Sequence, residues 1–293
     1  MPEALNVIYL NTHDTGRFIQ PYGEAVPTPH LQALAEGGVV LRNCHCAGPT
    51  CSPSRAGLVT GRWPHCNGML GLAHRGFRLN DSRQHLAWHL RDQGWHCAAG
   101  GDGGTNHVAN AHPEKGRANG YHEILEGDPT EATLAFLARP HDRPFFLSVS
   151  YGMTHRQGPG FHTPPAADLD GRWHRAPACL PDTPEVRADW AHFCADARAL
   201  DAQWGRIFAA LDQHGLADRT LIIATTDHGV PFPYMKCNLT AQGTGVFCVL
   251  RGPGFTGGVV VDSLVSQIDL YPTICDILGL PKPGHLQGLS LAG

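Results

Sequence analysis

The run Thr220-Leu221-Ile222-Ile223-Ala224-Thr225-Thr226 constrains the fold more than any other stretch. It is β-branched and apolar without alternation, so both faces of the strand it forms must be covered. Such a strand sits in the middle of a sheet with helices above and below. Shorter apolar runs stand at residues 5–10, 39–41, 95–99, 145–150, 246–250 and 259–261. Helical periodicity lies between them. It is clearest over residues 185–214, where Val186, Trp190, Phe193, Ala197, Leu200, Trp204, Ile207 and Leu211 recur at spacings of four and three, with Gly215 as a fitting stop. This stripe predicts a helix packed on the sheet. Thr28-Pro29 opens a shorter helix carrying Leu31, Leu34 and Ala35. Residues 82–93 read as another, and residues 266–274 open a last one. The alternation predicts an α/β fold, one doubly wound, mostly parallel sheet with helices on both faces, over residues 1–293 as one domain. Residues 158–184, rich in Pro, Gly and polar residues, read as an excursion over the mouth of a site.

Composition narrows the function classes. The chain has 293 residues, a formal net charge of -4 and no charge run. That argues against nucleic acid as a partner. No stretch is long and apolar enough to suggest a membrane span, and the first ten residues lack the basic and apolar regions of a signal peptide. The ten cysteines form no CxxC framework and several sit among apolar neighbours. Reduced thiols and a cytoplasmic location are the expectation.

Open α/β sheets bind ligands beyond the carboxyl ends of their strands. Asp14 follows the first apolar run and Asp227-His228 follows the central one. Asp14 is a candidate metal ligand at such an end, and the Asp227-His228 pair is well placed for one. The stretch Cys51-Ser52-Pro53-Ser54-Arg55 opens a helix whose apolar face is Ala56, Leu58 and Val59. Ser52 and Ser54 offer capping hydroxyls, and Cys51 falls at the helix N-terminus, where negative charge is favoured. Arg55 adds a cation one turn on. Physical chemistry alone leaves two readings open, a buried structural cysteine or a nucleophile facing an anion. A glycine-rich loop at residues 67–76 brings His74 and Arg75 as candidate substrate contacts. A second, Gly100-Gly101-Asp102-Gly103-Gly104-Thr105-Asn106-His107, is no P-loop, since no Gly-Lys-Ser/Thr follows.

The pattern Cys51-x-Pro53-Ser54-Arg55-x-x-Leu58-x-Thr60-Gly61 resembles the signature of the formylglycine-dependent sulfatases, with local likeness to heparan N-sulfatase around Cys51, Gly68-Met69 and Pro231-Phe232-Pro233. The resemblance runs from the first strand nearly to the last residue. It implies an alkaline-phosphatase-type fold, here without the family's small C-terminal subdomain. It also implies a formylglycine made from Cys51 by a formylglycine-generating enzyme, and one divalent metal held by Asp14, Cys51, Asp227 and His228. Calcium is the family's usual ion, with Mn²⁺, Mg²⁺ or Zn²⁺ as alternatives. Asp14 matches the first of the family's two consecutive aspartates and Thr15 stands at the second. His107 matches a histidine that would take the proton as sulfate is expelled, although Thr105 replaces the lysine before it. Arg55, His155, Lys236 and His74 would bind a small anionic substrate, a sulfated sugar. The implied function is hydrolysis of sulfate esters or N-sulfates. Alternatives are a phosphodiester or phosphonate monoester hydrolase of the same superfamily, or a non-catalytic, partner-dependent binding protein.

Overall fold

The computed structural model describes residues 4–101, 118–158 and 160–292. Eight strands form one sheet. They are β1 (Asn6–Thr12), β2 (Val39–His45), β3 (His96–Gly101), β4 (Glu123–Leu125), β5 (Phe145–Ser150), β6 (Thr220–Thr226), β7 (Cys248–Arg251) and β8 (Val259–Ser266). Their order is β4-β3-β5-β1-β6-β7-β2-β8. Every neighbouring pair is parallel except those of β7, which runs against both β6 and β2. All seven residues of β6, and all seven of β1 beside it, are buried, as the uninterrupted apolar runs require.

Alternation along each strand feeds two cores. Val7, Tyr9, Leu221 and Ile223 pack on one face, with helices α2 (Cys51–Thr60), α3 (Leu86–Asp92) and α6 (Leu270–Ile277). Ile8, Leu10, Ile222 and Ala224 pack on the other, with α1 (Pro29–Gly37), α4 (Pro129–Leu137) and α5 (Pro184–Gln213). Helices on both faces make the sheet doubly wound, as the sequence predicts. Among the described residues no helix is long and apolar enough to cross a membrane.

Local details depart from expectation. The helix read over residues 82–93 is broken. A 3-10 turn at Ser82–Gln84 precedes α3, and His85 between them is extended, with its ring Nδ1 accepting the Ala87 amide as an N-cap. α4 and β4 were not foreseen, although Asp128-Pro129-Thr130-Glu131 carries a start signal: Asp128 accepts from the Thr130 and Glu131 amides. β2 and β8 run several residues past their apolar cores. The stripe of α5 divides. Leu200, Trp204, Ile207 and Leu211 lie on the sheet. Trp190, Phe193 and Ala197 instead form a separate cluster with Leu169 and Leu180 of the Pro-rich excursion and Phe232 and Met235 of the loop after β6. That excursion contains two 3-10 turns, Ala167–Leu169 and Gly171–Trp173.

Candidate active site and metal cluster

Strands β5, β1 and β6 lie side by side and parallel, so the loops leaving their carboxyl ends meet. β1 delivers His13 and Asp14, β5 delivers His155, and β6 delivers Asp227 and His228. α2 points its first turn at the same place. Thr50 is its N-cap residue in backbone position, and Cys51 is its first residue. All ten residues of α2 are buried, not only the apolar face. The two serines do not cap it. Ser52 Oγ accepts the amide of Ala73, and Ser54 Oγ donates to the Asp227 carbonyl and, at 3.1 Å, to Gln267 Oε1. They tie the helix to the loop after it and to the end of β6.

The cluster is largely buried and charged. Asp14 is 0% exposed and Asp227 1%. Asp227 Oδ1 accepts the amides of Asp14 and His228, both at 2.9 Å. Its Oδ2 faces Arg55 Nε and Nη2 at 3.3 Å each and His13 Nδ1 at 3.2 Å. Burial alone would raise the Asp227 carboxyl, but His228, His13 and Arg55 around it hold it well below the usual carboxylate range. Asp14 Oδ2 accepts Lys236 Nζ at 2.6 Å. Burial lowers the Lys236 ammonium, and the Asp14 carboxylate more than offsets that, so it stays firmly charged. Burial and then Arg55 push the His13 imidazole down, toward the neutral form. Burial and then Asp227 push the Cys51 thiol up to about 12. As encoded it is a neutral thiol.

His228 bears directly on whether a cation fits. Its Nδ1 lies 2.9 Å from the Gly229 carbonyl, which can only accept, so Nδ1 carries the proton. Nε2 then faces Asp14 Oδ1 at 3.3 Å, Asp227 Oδ1 at 3.5 Å and Cys51 Sγ at 3.4 Å. Asp14 Oδ1 is buried and, among the described residues, accepts no hydrogen bond. A ring lone pair converging with two carboxylate oxygens and a sulfur is a donor set for a cation. Fixing the outer imidazole nitrogen on a carbonyl is also the usual arrangement around a bound metal. The residues therefore fit a divalent ion. Gly229 is required here, because a Cβ would come within 1.8 Å of the Gln242 carbonyl oxygen.

Above the cluster opens a cleft of about 310 Å³, whose lining includes Cys51, His74, His155 and Lys236. Lys236 is 21% exposed at the side chain and reaches both the cleft and Asp14. His155 Nδ1 sits 2.7 Å from the Arg156 carbonyl, leaving Nε2 directed inward, 4.0 Å from Asp14 Oδ2. His74 stands exposed on the rim. Arg55, 4% exposed, spends its guanidinium on Asp227 and on Ser150 Oγ at 3.0 Å, beneath the cluster. His107 and Thr105 lie outside the described residues. The cluster also includes His13, which the sequence reading passed over. One donor atom each from His13, Asp14, Cys51 and Asp227 lie within 4.8 Å of one another. Its signal was position alone, one residue before Asp14 at the end of β1.

The family profile described as Sulfatase matches residues 6–280. The chain is 32% identical over 334 residues to human N-sulphoglucosamine sulphohydrolase, which covers 98% of this chain and 65% of that protein. It is 25% identical over 343 residues to an ulvan-active sulfatase of Formosa agariphila, covering 100% of this chain and 55% of that protein. The chain thus spans between about half and two thirds of these relatives. Among solved structures, the phosphonate monoester hydrolase of Agrobacterium radiobacter superposes with a TM-score of 0.75 at 22% identity, over 98% of this chain and 76% of that one. BT4656 in complex with its substrate D-glucosamine-2-N,6-O-disulfate superposes with a TM-score of 0.73 at 19% identity, over 99% and 80%. These superpositions establish the fold. With the profile spanning nearly all of the described sheet, the chain belongs to the sulfatase family.

Proposed function

We propose that this protein hydrolyses a sulfate ester or N-sulfate on a sugar and releases inorganic sulfate. Position 51 acts as formylglycine, made from the cysteine by a formylglycine-generating enzyme, beside one divalent metal ion. The observation that carries this reading is the placement of Cys51 at the first position of α2, 3.4 Å from His228 Nε2, over two buried carboxylates at the floor of an open cleft. The similarity to human N-sulphoglucosamine sulphohydrolase supports the substrate class.

Asp14, Asp227 and His228 hold the ion. When bound, it supplies positive charge that acidifies a hydroxyl at position 51 and offsets charge developing at sulfur. Lys236 presents its ammonium to a sulfuryl oxygen from the cleft wall, and His155 Nε2 approaches from the opposite loop. Arg55 works from below: its bonds to Asp227 fix that carboxylate rather than reaching into the cleft. His107 is assigned removal of the proton that lets sulfate leave, on the resemblance alone. A cleft of about 310 Å³ is at the small end of ligand pockets, which suits one sugar unit with His74 against it.

The test is expression with a formylglycine-generating enzyme, intact-mass measurement, and turnover of N-sulfated and O-sulfated glucosamine, an aryl sulfate and an aryl phosphonate. Position 51 should be lighter than the encoded cysteine and sulfate should be released from the sugars. A preference for the phosphonate, or no sulfate release by the converted protein, overturns the reading.

A further inference from the structure

Neighbouring residues on an extended strand point to opposite faces, so His13 and Asp14 should part at the end of β1. They do not. Asp14 has a left-handed backbone, φ +55°, and its amide is held by Asp227 Oδ1 at 2.9 Å. This turn swings Asp14 back, so that both side chains meet Asp227. Thr15 is turned away: its hydroxyl lies 2.6 Å from Thr12 Oγ1 and 3.3 Å from Thr154 Oγ1. The side chain that joins Asp14 in the cluster is therefore the imidazole before it, not the residue after it.

Protein oxygen is scarce in this cluster. Asp14 Oδ2 is taken by Lys236, and Asp227 Oδ2 is shared with both Arg55 nitrogens. Calcium takes six to eight oxygen ligands, whereas imidazole nitrogen suits first-row transition ions. Two imidazoles stand ready. His228 Nε2 is directed inward by the Nδ1 bond to Gly229, 3.3 Å from Asp14 Oδ1, and one ring nitrogen of His13 lies within 4.8 Å of donor atoms from Asp14, Cys51 and Asp227.

We propose that His13 is a fifth metal ligand of this chain and that, with His228, it makes the site select a transition ion such as Mn²⁺ over Ca²⁺. The inference rests on reading the cluster as a metal centre, but not on the substrate. The competing role for His13 is a hydrogen bond to Asp227 Oδ2 from outside the ion's ligand sphere.

The test uses the whole chain, stripped with a chelator and loaded with Mn²⁺ alone. Electron spin-echo envelope modulation counts the imidazole nitrogens bound to the ion. Two are expected in the wild type and one in His13→Asp. Equilibrium dialysis against Mn²⁺ and Ca²⁺ should show the wild type favouring Mn²⁺ by about tenfold or more, and His13→Asp moving that ratio toward Ca²⁺ by about tenfold. His13→Gln serves as the second variant should the added carboxylate prevent folding, and it too should show one imidazole. One bound imidazole in the wild type, a wild type that prefers Ca²⁺, or a ratio unchanged in His13→Asp overturns the proposal. A chain that binds neither ion overturns it together with the metal part of the functional reading. Two bound imidazoles without sulfate release uphold His13 as a ligand while the substrate reading fails.

Discussion

The floor of the cleft and the excursion beside it are both loops, yet they are held in opposite ways. The floor hangs on strand ends and the first turn of α2, and most of its polar groups are buried and hydrogen-bonded to one another. Beneath the charged cluster, Gln267 Nε2 donates to the Thr226 carbonyl at 2.6 Å and to Thr225 Oγ1 at 3.1 Å, while its Oε1 accepts Ser54. Besides the apolar packing of Leu169 and Leu180, the excursion has one buried polar anchor among the described residues. Asp196 on α5 accepts the His162 amide at 3.3 Å, His162 Nδ1 at 3.1 Å and the Thr163 amide at 2.6 Å. Its other ion pairs, such as Arg198–Asp168 and Arg187–Asp182, lie at the surface. A network whose members are all buried fails when one partner leaves, because the rest cannot turn to water. Surface pairs lose little by separation. The two regions should therefore respond very differently to the same kind of substitution.

The largest effect is expected at the floor. Cys51→Ala and Asp227→Asn should each lower turnover by on the order of 10³ or more, and the double variant should be little worse than the poorer single one. Steady-state kinetics across a metal titration checks this. Losses that multiply would mean the two residues do not act on one centre, and the floor would not be the unit described here. Next, Gln267→Met removes a buried amide and takes from the Thr226 carbonyl its 2.6 Å donor, leaving the Thr225 hydroxyl at 3.4 Å. It should cost about 1–3 kcal/mol in denaturant unfolding. It should also lower kcat, since Ser54 then loses one of the two partners that set α2 against Asp227. A variant of wild-type stability would show the floor to be less closely knit than its bonds imply.

Acid sharpens the comparison from a third side. His85 lines a small cavity under Arg55, and burial lowers its pKa from 6.5 to about 3. The folded protein keeps it neutral while the unfolded chain protonates it below about 6.5. Its contribution to stability is complete above pH 6.5 and is lost as pH falls toward 3, at no more than about 1.4 kcal/mol per unit. His85→Asn keeps an acceptor for the Ala87 amide but takes up no proton. Its unfolding free energy should therefore fall less steeply across that window, by up to one proton's slope. Parallel curves for the two proteins would place the charged form of His85 in the fold.

What the sequence made legible follows the same division. β1, β6 and the Asp227-His228 pair could be read because apolar runs announce buried parallel strands with ligand positions at their carboxyl ends, whereas Asp14 and Cys51 were singled out by the resemblance to the sulfatase signature. The helix start at Cys51 was legible from its local sequence. His13 was not, because its direction depends on a left-handed turn at Asp14 that a strand pattern does not encode. Nor were the partners of Ser52 and Ser54. Capping hydroxyls look local in sequence, whereas these two are claimed by Ala73 and by Asp227 and Gln267, over a hundred residues away in the latter case. His85 interrupts a helical pattern without Gly or Pro, which periodicity cannot see. The stripe of α5 was plain, but it does not say what covers it. Half meets the sheet and half meets the excursion, a choice made by chain connections rather than by the stripe itself.

The smallest effects belong to the excursion, and they separate its anchor from its decoration. Asp196→Asn keeps one carboxamide oxygen for the three donors that the carboxylate served, so at least one of them loses a charged acceptor. About 1 kcal/mol of stability should be lost, with a rise in KM and an unchanged kcat, because the excursion packs against Phe232 and Met235 of the loop that carries Lys236. Arg198→Ala removes a pair whose acidic member, Asp168, is two-thirds exposed. Water and salt already replace most of what that guanidinium provides, and holding a long side chain in place costs rotamer freedom. Its melting temperature should match the wild type at both low and high salt, and so should its KM. If Arg198→Ala raised KM as much as Asp196→Asn does, the surface pairs would be holding the excursion. The contrast between a floor held by a buried polar network and an excursion with a single buried polar anchor would then be wrong.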